Sequence, residues 1–208
     1  MSWEQADGDR VRIKICGVQC EADIDAAVAA GADAVGLVRW PNSPRSIDRD
    51  TAARLAAHCD DAIVPVTLLV NPSPKDLLDL PTHWVQLHGQ EDLGTIAAAA
   101  NLYSVIKAVP ARDRDALAAA DTLEDVHRLL IDAPRGGSGE PFDHASMARF
   151  RHTLQTPLII AGGLDPSNVA EAVAMLGPWG VDVSSGVEAT RGVKDAGLIK
   201  AFCNTVRG

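Results

Sequence analysis

Pro157-Leu158-Ile159-Ile160-Ala161-Gly162-Gly163-Leu164-Asp165-Pro166 reads as strand, turn and helix start in ten residues. A short apolar, β-branched run stops at a glycine pair, and an aspartate cap then precedes a proline at the first helical position. The same grammar recurs in both directions along the chain. Upstream, the apolar run from Val11 ends in Lys14-Ile15-Cys16-Gly17, and Ser73-Pro74 repeats the cap-proline signal. Downstream, Gly180-Val181 leads into Asp182-Val183-Ser184-Ser185-Gly186. A thiol at one strand end and two glycine/serine turns at two later ones point to one reaction centre facing one phosphate.

Extended outward, the pattern predicts strands at 12–15, 34–38, 63–70, 84–87, 104–108, 128–131, 158–160 and 181–183. Segments with helical spacing follow them at 22–30, 50–59, 74–80, 93–100, 113–120, 146–154, 166–176 and 195–206. Gly31 and Gly177 end helices ahead of strands. Eight strand-helix units of roughly 25 residues match the span of one unit in an eightfold βα barrel. The expected fold is therefore α/β, a single (βα)8 barrel over residues 11–208 behind a flexible extension at 1–10. An open doubly wound sheet is the alternative, but G-x-G-x-x-G is missing after the first strand.

Composition narrows the function. The chain has 208 residues, 47% hydrophobic and 23% charged, which suits one domain with a substantial core. Net charge is −9 without a Lys/Arg cluster, so neither nucleic acid nor an anionic membrane is expected as a partner. The four cysteines, Cys16, Cys20, Cys59 and Cys203, form no C-x-x-C pair of a zinc or redox site, and no metal is expected. The polar, acidic residues 1–10 do not read as a signal peptide, and no apolar run is long enough for a bilayer. A reduced, cytoplasmic protein is the expectation.

Side chains two apart on a strand share a face, which pairs Lys14 with Cys16, Gln86 with His88, and Asp182 with Ser184. A closed parallel barrel covers both faces, so polar residues there need a reason. These gather at carboxyl ends of strands, where such barrels place their sites, and all are candidates to touch a substrate. Cys16 becomes a base or nucleophile if nearby positive charge lowers its pKa, and Lys14 shares its face. Asp132 ends Leu129-Leu130-Ile131 and precedes the glycine-rich loop Pro134-Arg135-Gly136-Gly137-Ser138-Gly139; a partly desolvated carboxyl there can serve as an acid. Gly162-Gly163 and Ser184-Ser185-Gly186 offer close backbone approach to a phosphate after the last two strands. Arg45, in the turn-rich Pro41-Asn42-Ser43-Pro44-Arg45, suits a carboxylate. Lys107 near the fifth strand's end is either a Schiff-base former or a paired structural lysine.

As an ordered set, Lys14-Ile15-Cys16-Gly17, Gly31-Ala32-Asp33-Ala34-Val35-Gly36, Ser43-Pro44-Arg45, Val85-Gln86-Leu87-His88-Gly89 and Ile106-Lys107-Ala108-Val109 lead into Gly136-Gly137-Ser138-Gly139, Phe142-Asp143, Ala161-Gly162-Gly163-Leu164 and Asp182-Val183-Ser184-Ser185-Gly186-Val187-Glu188. From about Val11 to the C-terminus the chain resembles the phosphoribosylanthranilate isomerases of tryptophan biosynthesis. The resemblance implies an eightfold barrel that works without a cofactor, as a monomer or homodimer, on a small phosphoribosyl substrate. It implies an Amadori rearrangement in which Asp132 protonates the furanose oxygen and Cys16 removes the C2 proton. Arg45 would hold the anthranilate carboxylate, and the Gly162-Gly163 and Ser184-Ser185-Gly186 turns the phosphate. Glu140, Arg39-Trp40 and the proline-free Thr190-Arg191-Gly192-Val193-Lys194-Asp195 depart from the family pattern. They leave open a related isomerase acting on a modified anthranilate or another aminoaldose phosphate.

Overall fold

Alternation along each apolar run gives every strand one face for the helices and one for the barrel interior. In a computed structural model, which describes Trp3, residues 10–132, Arg151 and residues 153–208, eight such runs form a closed parallel barrel in chain order. The strands are β1 (Arg12–Cys16), β2 (Ala34–Val38), β3 (Val64–Leu69), β4 (Trp84–Leu87), β5 (Ser104–Pro110), β6 (Arg128–Asp132), β7 (Leu158–Ala161) and β8 (Gly180–Val183). Closure is made by β8 against β1, where Lys14 stands opposite Asp182. Helices α1 (Glu21–Ala29), α2 (Arg49–Cys59), α3 (Leu93–Ala100), α4 (Arg114–Asp121), α5 (Val169–Leu176) and α6 (Ala196–Arg207) surround it. Four are capped by aspartates whose carboxylates accept from an amide three residues on: Asp48, Asp92, Asp113 and Asp195. Among the described residues no helix is long and apolar enough to cross a membrane.

Two apolar layers follow from the alternation. The outer one joins strand residues such as Ile13, Ile15, Leu37 and Val85 to helix residues such as Leu55, Leu117 and Phe202. Inside the barrel, Ala34, Val66, Trp84, Ile106, Leu130 and Ile159 fill the amino-terminal half. Lys14 and Gln86 lie fully buried above them, and Cys16, Val38 and Leu68 line the carboxyl-terminal end. Within the expected extension at 1–10, Trp3 is buried in the inner cluster. Its ring lies edge-on to Trp179 at 4.9 Å and to Trp84 at 6.4 Å.

The structure corrects the sequence reading in three places. Residues 74–80 form turns, not a helix. The Ser73 amide and hydroxyl both donate to the Asp76 carboxylate at 2.8 and 2.7 Å, which closes a local turn that competes with helix growth. Asp79 then takes a left-handed φ of 54°, and the Tyr103 hydroxyl ties the turn at the Leu77 carbonyl. The helix expected at 166–176 is α5 and starts at Val169, because the Asp165 carboxylate accepts from the Ser167 amide in a turn of its own before the helix begins. Finally, a short hairpin, β9 (Glu188–Thr190) with β10 (Val193–Lys194), stands where only a loop was expected before α6. The expected glycine-rich loop at 134–139 and most of the expected helix at 146–154 lie outside the described residues.

Candidate active site

A cavity of about 520 Å³ opens at the carboxyl end of the barrel. Its wall includes Cys16, Arg45, Gln86, His88, Asp132, Gly162, Gly163, Asp182, Ser184 and Ser185. Residues expected from sequence to form one site thus do meet, brought by β1, the loop after β2, β4, β6, β7 and β8. Lys14 and Gly186 stand behind the wall. Lys14 is fully buried, and Gly186 packs so closely that a Cβ would lie 1.9 Å from the Leu164 carbonyl oxygen. The loops after β7 and β8 therefore touch only because residue 186 lacks a side chain. Sequence reasoning did not find the apolar side of the cavity, made by Val38, Leu68 and Val70 with Trp40 at its rim.

Cys16 sits at the base. Burial raises its thiol pKa and Asp182 adds to the rise; the positive charges of Lys14 and Lys194 work against it, and the net shift stays upward. The Lys14 ammonium donates to Asp182 Oδ1 at 2.9 Å. Burial alone would depress Lys14, but the charges of Asp182 and Cys16 outweigh it and the net shift is upward. Lys14 is thus held as a cation beneath the thiol, the charge needed to stabilise a thiolate. Space for both comes from β2: a Cβ on Gly36 would lie 2.7 Å from Cys16 Sγ and 3.0 Å from Lys14 Nζ.

Asp132 ends β6 with its side chain 46% exposed toward the cavity. His88 Nε2 lies 3.4 Å from Asp132 Oδ2, and Gln86 Nε2 lies 2.8 Å from His88 Nδ1. With the amide donating, Nδ1 is an acceptor and a neutral imidazole carries its proton on Nε2, facing the carboxyl group.

In the cavity wall Gly162 and Gly163 adopt successive left-handed φ values of 87° and 68°. Side chains rarely tolerate that conformation, and it lets bare backbone form the wall. Among the described residues, neither glycine's amide donates to a backbone carbonyl. Such amides next to a turn suit a phosphate. Ser184 leads into a 3-10 turn at Ser185–Val187 on the adjoining wall.

In the loop after β2, Arg45 Nε and Nη2 donate to Glu188 Oε1 and Oε2 at 2.5 and 2.8 Å. Glu188 is on the unexpected hairpin, 143 residues away in sequence, and no local pattern announces the pair. Lys107 donates to Glu91 Oε2 at 2.6 Å and to the carbonyls of Gly89 and Ala108 at 2.8 and 3.0 Å. All three ammonium hydrogens have acceptors, which fits the paired structural lysine rather than the Schiff-base former. Among the described residues, no group of three or more His, Cys, Asp or Glu side chains could hold a metal ion.

Comparison with known proteins agrees with this fold. The family model of N-(5'-phosphoribosyl)anthranilate (PRA) isomerase matches residues 13–205. The N-(5'-phosphoribosyl)anthranilate isomerase of Chromohalobacter salexigens is 45% identical over 204 residues, spanning 95% of this chain and 94% of that protein. The Leptothrix cholodnii isomerase is 40% identical, spanning 95% and 91% respectively. Among solved structures, phosphoribosyl anthranilate isomerase from Thermotoga maritima superposes with a TM-score of 0.85 at 37% identity, covering 95% of this chain and 99% of that one. A phosphoribosyl anthranilate isomerase in complex with reduced 1-(o-carboxyphenylamino)-1-deoxyribulose 5-phosphate also gives 0.85, at 35% identity, with coverage of 95% and 99%. A family model that matches nearly the whole chain and relatives 45% and 40% identical along 95% of it place this protein, a closed eight-stranded barrel, in the N-(5'-phosphoribosyl)anthranilate isomerase family.

Proposed function

We propose that this protein converts N-(5'-phosphoribosyl)anthranilate to 1-(2-carboxyphenylamino)-1-deoxyribulose 5-phosphate by general acid-base catalysis. The observation that carries the reading is the shared cavity: Cys16 and Asp132 line one space together with the glycine turns and Arg45. The substrate carries the groups these residues suit, a phosphate and an aromatic carboxylate, with the reacting sugar carbons between.

Asp132 delivers a proton to the furanose oxygen as the C1–O bond breaks, and the anilino nitrogen's lone pair forms the C1=N bond of an open iminium. The Cys16 thiolate then takes the proton from C2, and the electrons of that C–H bond move to C1 as the iminium relaxes to an enolamine. Tautomerisation to the ketone returns a proton to C1 and releases the one on the C2 hydroxyl, so the reaction is an isomerisation with no net change in atoms or redox state. Lys14 stabilises the thiolate from below. His88 Nε2–H supports the Asp132 carboxylate once its proton has left. Each positioned acid or base contributes typically about 10²–10⁴-fold.

The test is rescue of a tryptophan auxotroph that lacks this isomerase, together with turnover by the purified protein. The wild-type chain should restore growth and Cys16→Ala should not, while the purified variant remains folded and binds the reduced product analogue. Growth supported by Cys16→Ala removes the thiol from the mechanism. Failure of the wild-type chain on this substrate refutes the assignment itself.

A further inference from the structure

A guanidinium has two edges that can each fork a carboxylate, Nε with Nη2 and Nη1 with Nη2. In Arg45 the first edge is already taken by Glu188; among the described residues the second has no partner, and Arg45 lines the cavity. Glu188 is itself immobilised, since its Oε2 accepts from the Gly192 amide and its Oε1 from Lys194 Nζ, both at 3.0 Å. Lys194 then reaches the Ser184 carbonyl at 2.9 Å, on the loop that carries the phosphate turn. Glu188 and Lys194 have side chains only 3% and 1% exposed. The alkyl stem of Arg45 lies against bare backbone, where a Cβ on Gly17 would be 2.4 Å from its Cδ. Arg45, Glu188, Lys194 and Ser184 thus form one continuous chain of contacts from the loop after β2 to the loop after β8.

We infer that Glu188 is a positioning residue: it aims the free edge of Arg45 at the substrate's aromatic carboxylate and, through Lys194, fixes that site relative to the phosphate loop. The inference rests on the substrate reading above and assigns to the β9–β10 hairpin a task in recognition. Glu188 does not touch the substrate. Its effect passes through Arg45, whose guanidinium would otherwise choose among several rotamers.

Glu188→Gln separates aiming from charge. The variant keeps size but places an amide NH₂ against a guanidinium N–H, which breaks the fork. It also removes a negative charge that competes with the ligand's carboxylate. If Glu188 aims Arg45, affinity for a carboxylate ligand falls; if it only screens Arg45, affinity rises. The experiment measures binding of the reduced product analogue and of the same compound made from aniline, which lacks the carboxylate. Wild type, Glu188→Gln, Arg45→Ala and the double variant are compared. Glu188→Gln should weaken the carboxylate analogue by about 10-fold or more and leave the aniline analogue within about twofold. With Arg45 already removed, Glu188→Gln should cost no further affinity. Equal weakening of both analogues makes Glu188 a structural support only, and unchanged or tighter binding of the carboxylate analogue makes it a charge screen; either overturns the inference. A wild-type protein that binds both analogues equally instead refutes the carboxylate role of Arg45 and takes this inference with it, a failure visible before any Glu188 variant is measured.

Discussion

Gly36→Ala adds a single methyl group inside the barrel, and the surroundings define what it must displace. The new Cβ would lie 2.7 Å from Cys16 Sγ, 3.0 Å from Lys14 Nζ and 3.1 Å from Cys16 Cα. Ordinary contact begins near 3.4 Å, so Sγ has to retreat by about 0.7 Å. Lys14 cannot yield in its place, because its ammonium is bonded to Asp182 in a fully buried position. The backbone at residue 36 gives no relief, since β2 is paired on both sides, with Cys16 in β1 and Val66 in β3. Overpacking of this kind costs roughly 1–3 kcal/mol, partly offset by about 0.4–1 kcal/mol from a stiffer unfolded chain. The larger effect should fall on catalysis, because a misplacement approaching 1 Å can cost about 10²-fold in rate. Steady-state turnover read beside the thermal midpoint checks both numbers. Gly36→Ala should melt a few degrees early, bind the reduced product analogue nearly normally and lose most of its kcat. A variant with wild-type kcat would show that the thiol's position above Lys14 is irrelevant to the reaction.

Asp132→Asn keeps volume and hydrogen bonding but has no proton to give, so kcat should fall by about 10²–10⁴ with little change in analogue affinity; a variant that only raises KM points to a binding role instead. Lys14→Met strands Asp182 in the interior and should cost about 3–5 kcal/mol of stability by denaturant unfolding, most of it recovered in the Lys14→Met/Asp182→Asn pair. Gly163→Val puts a branched side chain on a left-handed φ of 68° and should weaken every phosphorylated ligand alike, whereas Arg45→Ala should weaken only those with the aromatic carboxylate; titration with a simple sugar phosphate separates them. Burial raises the Glu188 carboxyl, but bonds from Arg45, Gly192 and Lys194 outweigh it and hold its pKa at about 2 against an ordinary 4.5. Its contribution to stability is full above about pH 4.5 and is lost as pH falls toward 2, so thermal midpoints of Glu188→Gln should decline less steeply than wild type across that window.

The barrel was legible because each βα unit carries its own local signals. Apolar runs such as those ending at Val38 and Ile160 mark strands, and Gly31 and Gly177, both with left-handed φ, close helices ahead of the next strand. The site's thiol, carboxyl group and glycine turns were legible for a related reason: each lies at the end of a strand whose position was already known. What failed was either a competition between local options or a contact across the chain. Ser73-Pro74 satisfies the signature of a helix start, yet the Ser73–Asp76 bonds close a turn and Asp79 ends it, in a stretch too short for a helix to recover the cost of nucleation. Glu188 and Arg45 carry no mutual signal in sequence, because their fork exists only once β8 has closed against β1 and the hairpin has reached back over the loop after β2. The apolar cavity side is similar: Val38, Leu68 and Val70 read as core residues, and only their position at the barrel's end makes them a wall.

The chain's four tryptophans divide between the two mouths of the barrel. Trp3, Trp84 and Trp179 cluster at the amino-terminal mouth with the Arg128 guanidinium over two of the rings, while Trp40 stands alone at the rim of the cavity. Intrinsic fluorescence from this protein is therefore two signals in one spectrum. With Trp40 replaced by phenylalanine, emission follows the seating of Trp3 and the integrity of the barrel floor, undisturbed by ligand. With the three floor tryptophans replaced instead, a single indole remains at the entrance, and its emission becomes a direct optical titration of the site from the opposite end of the molecule.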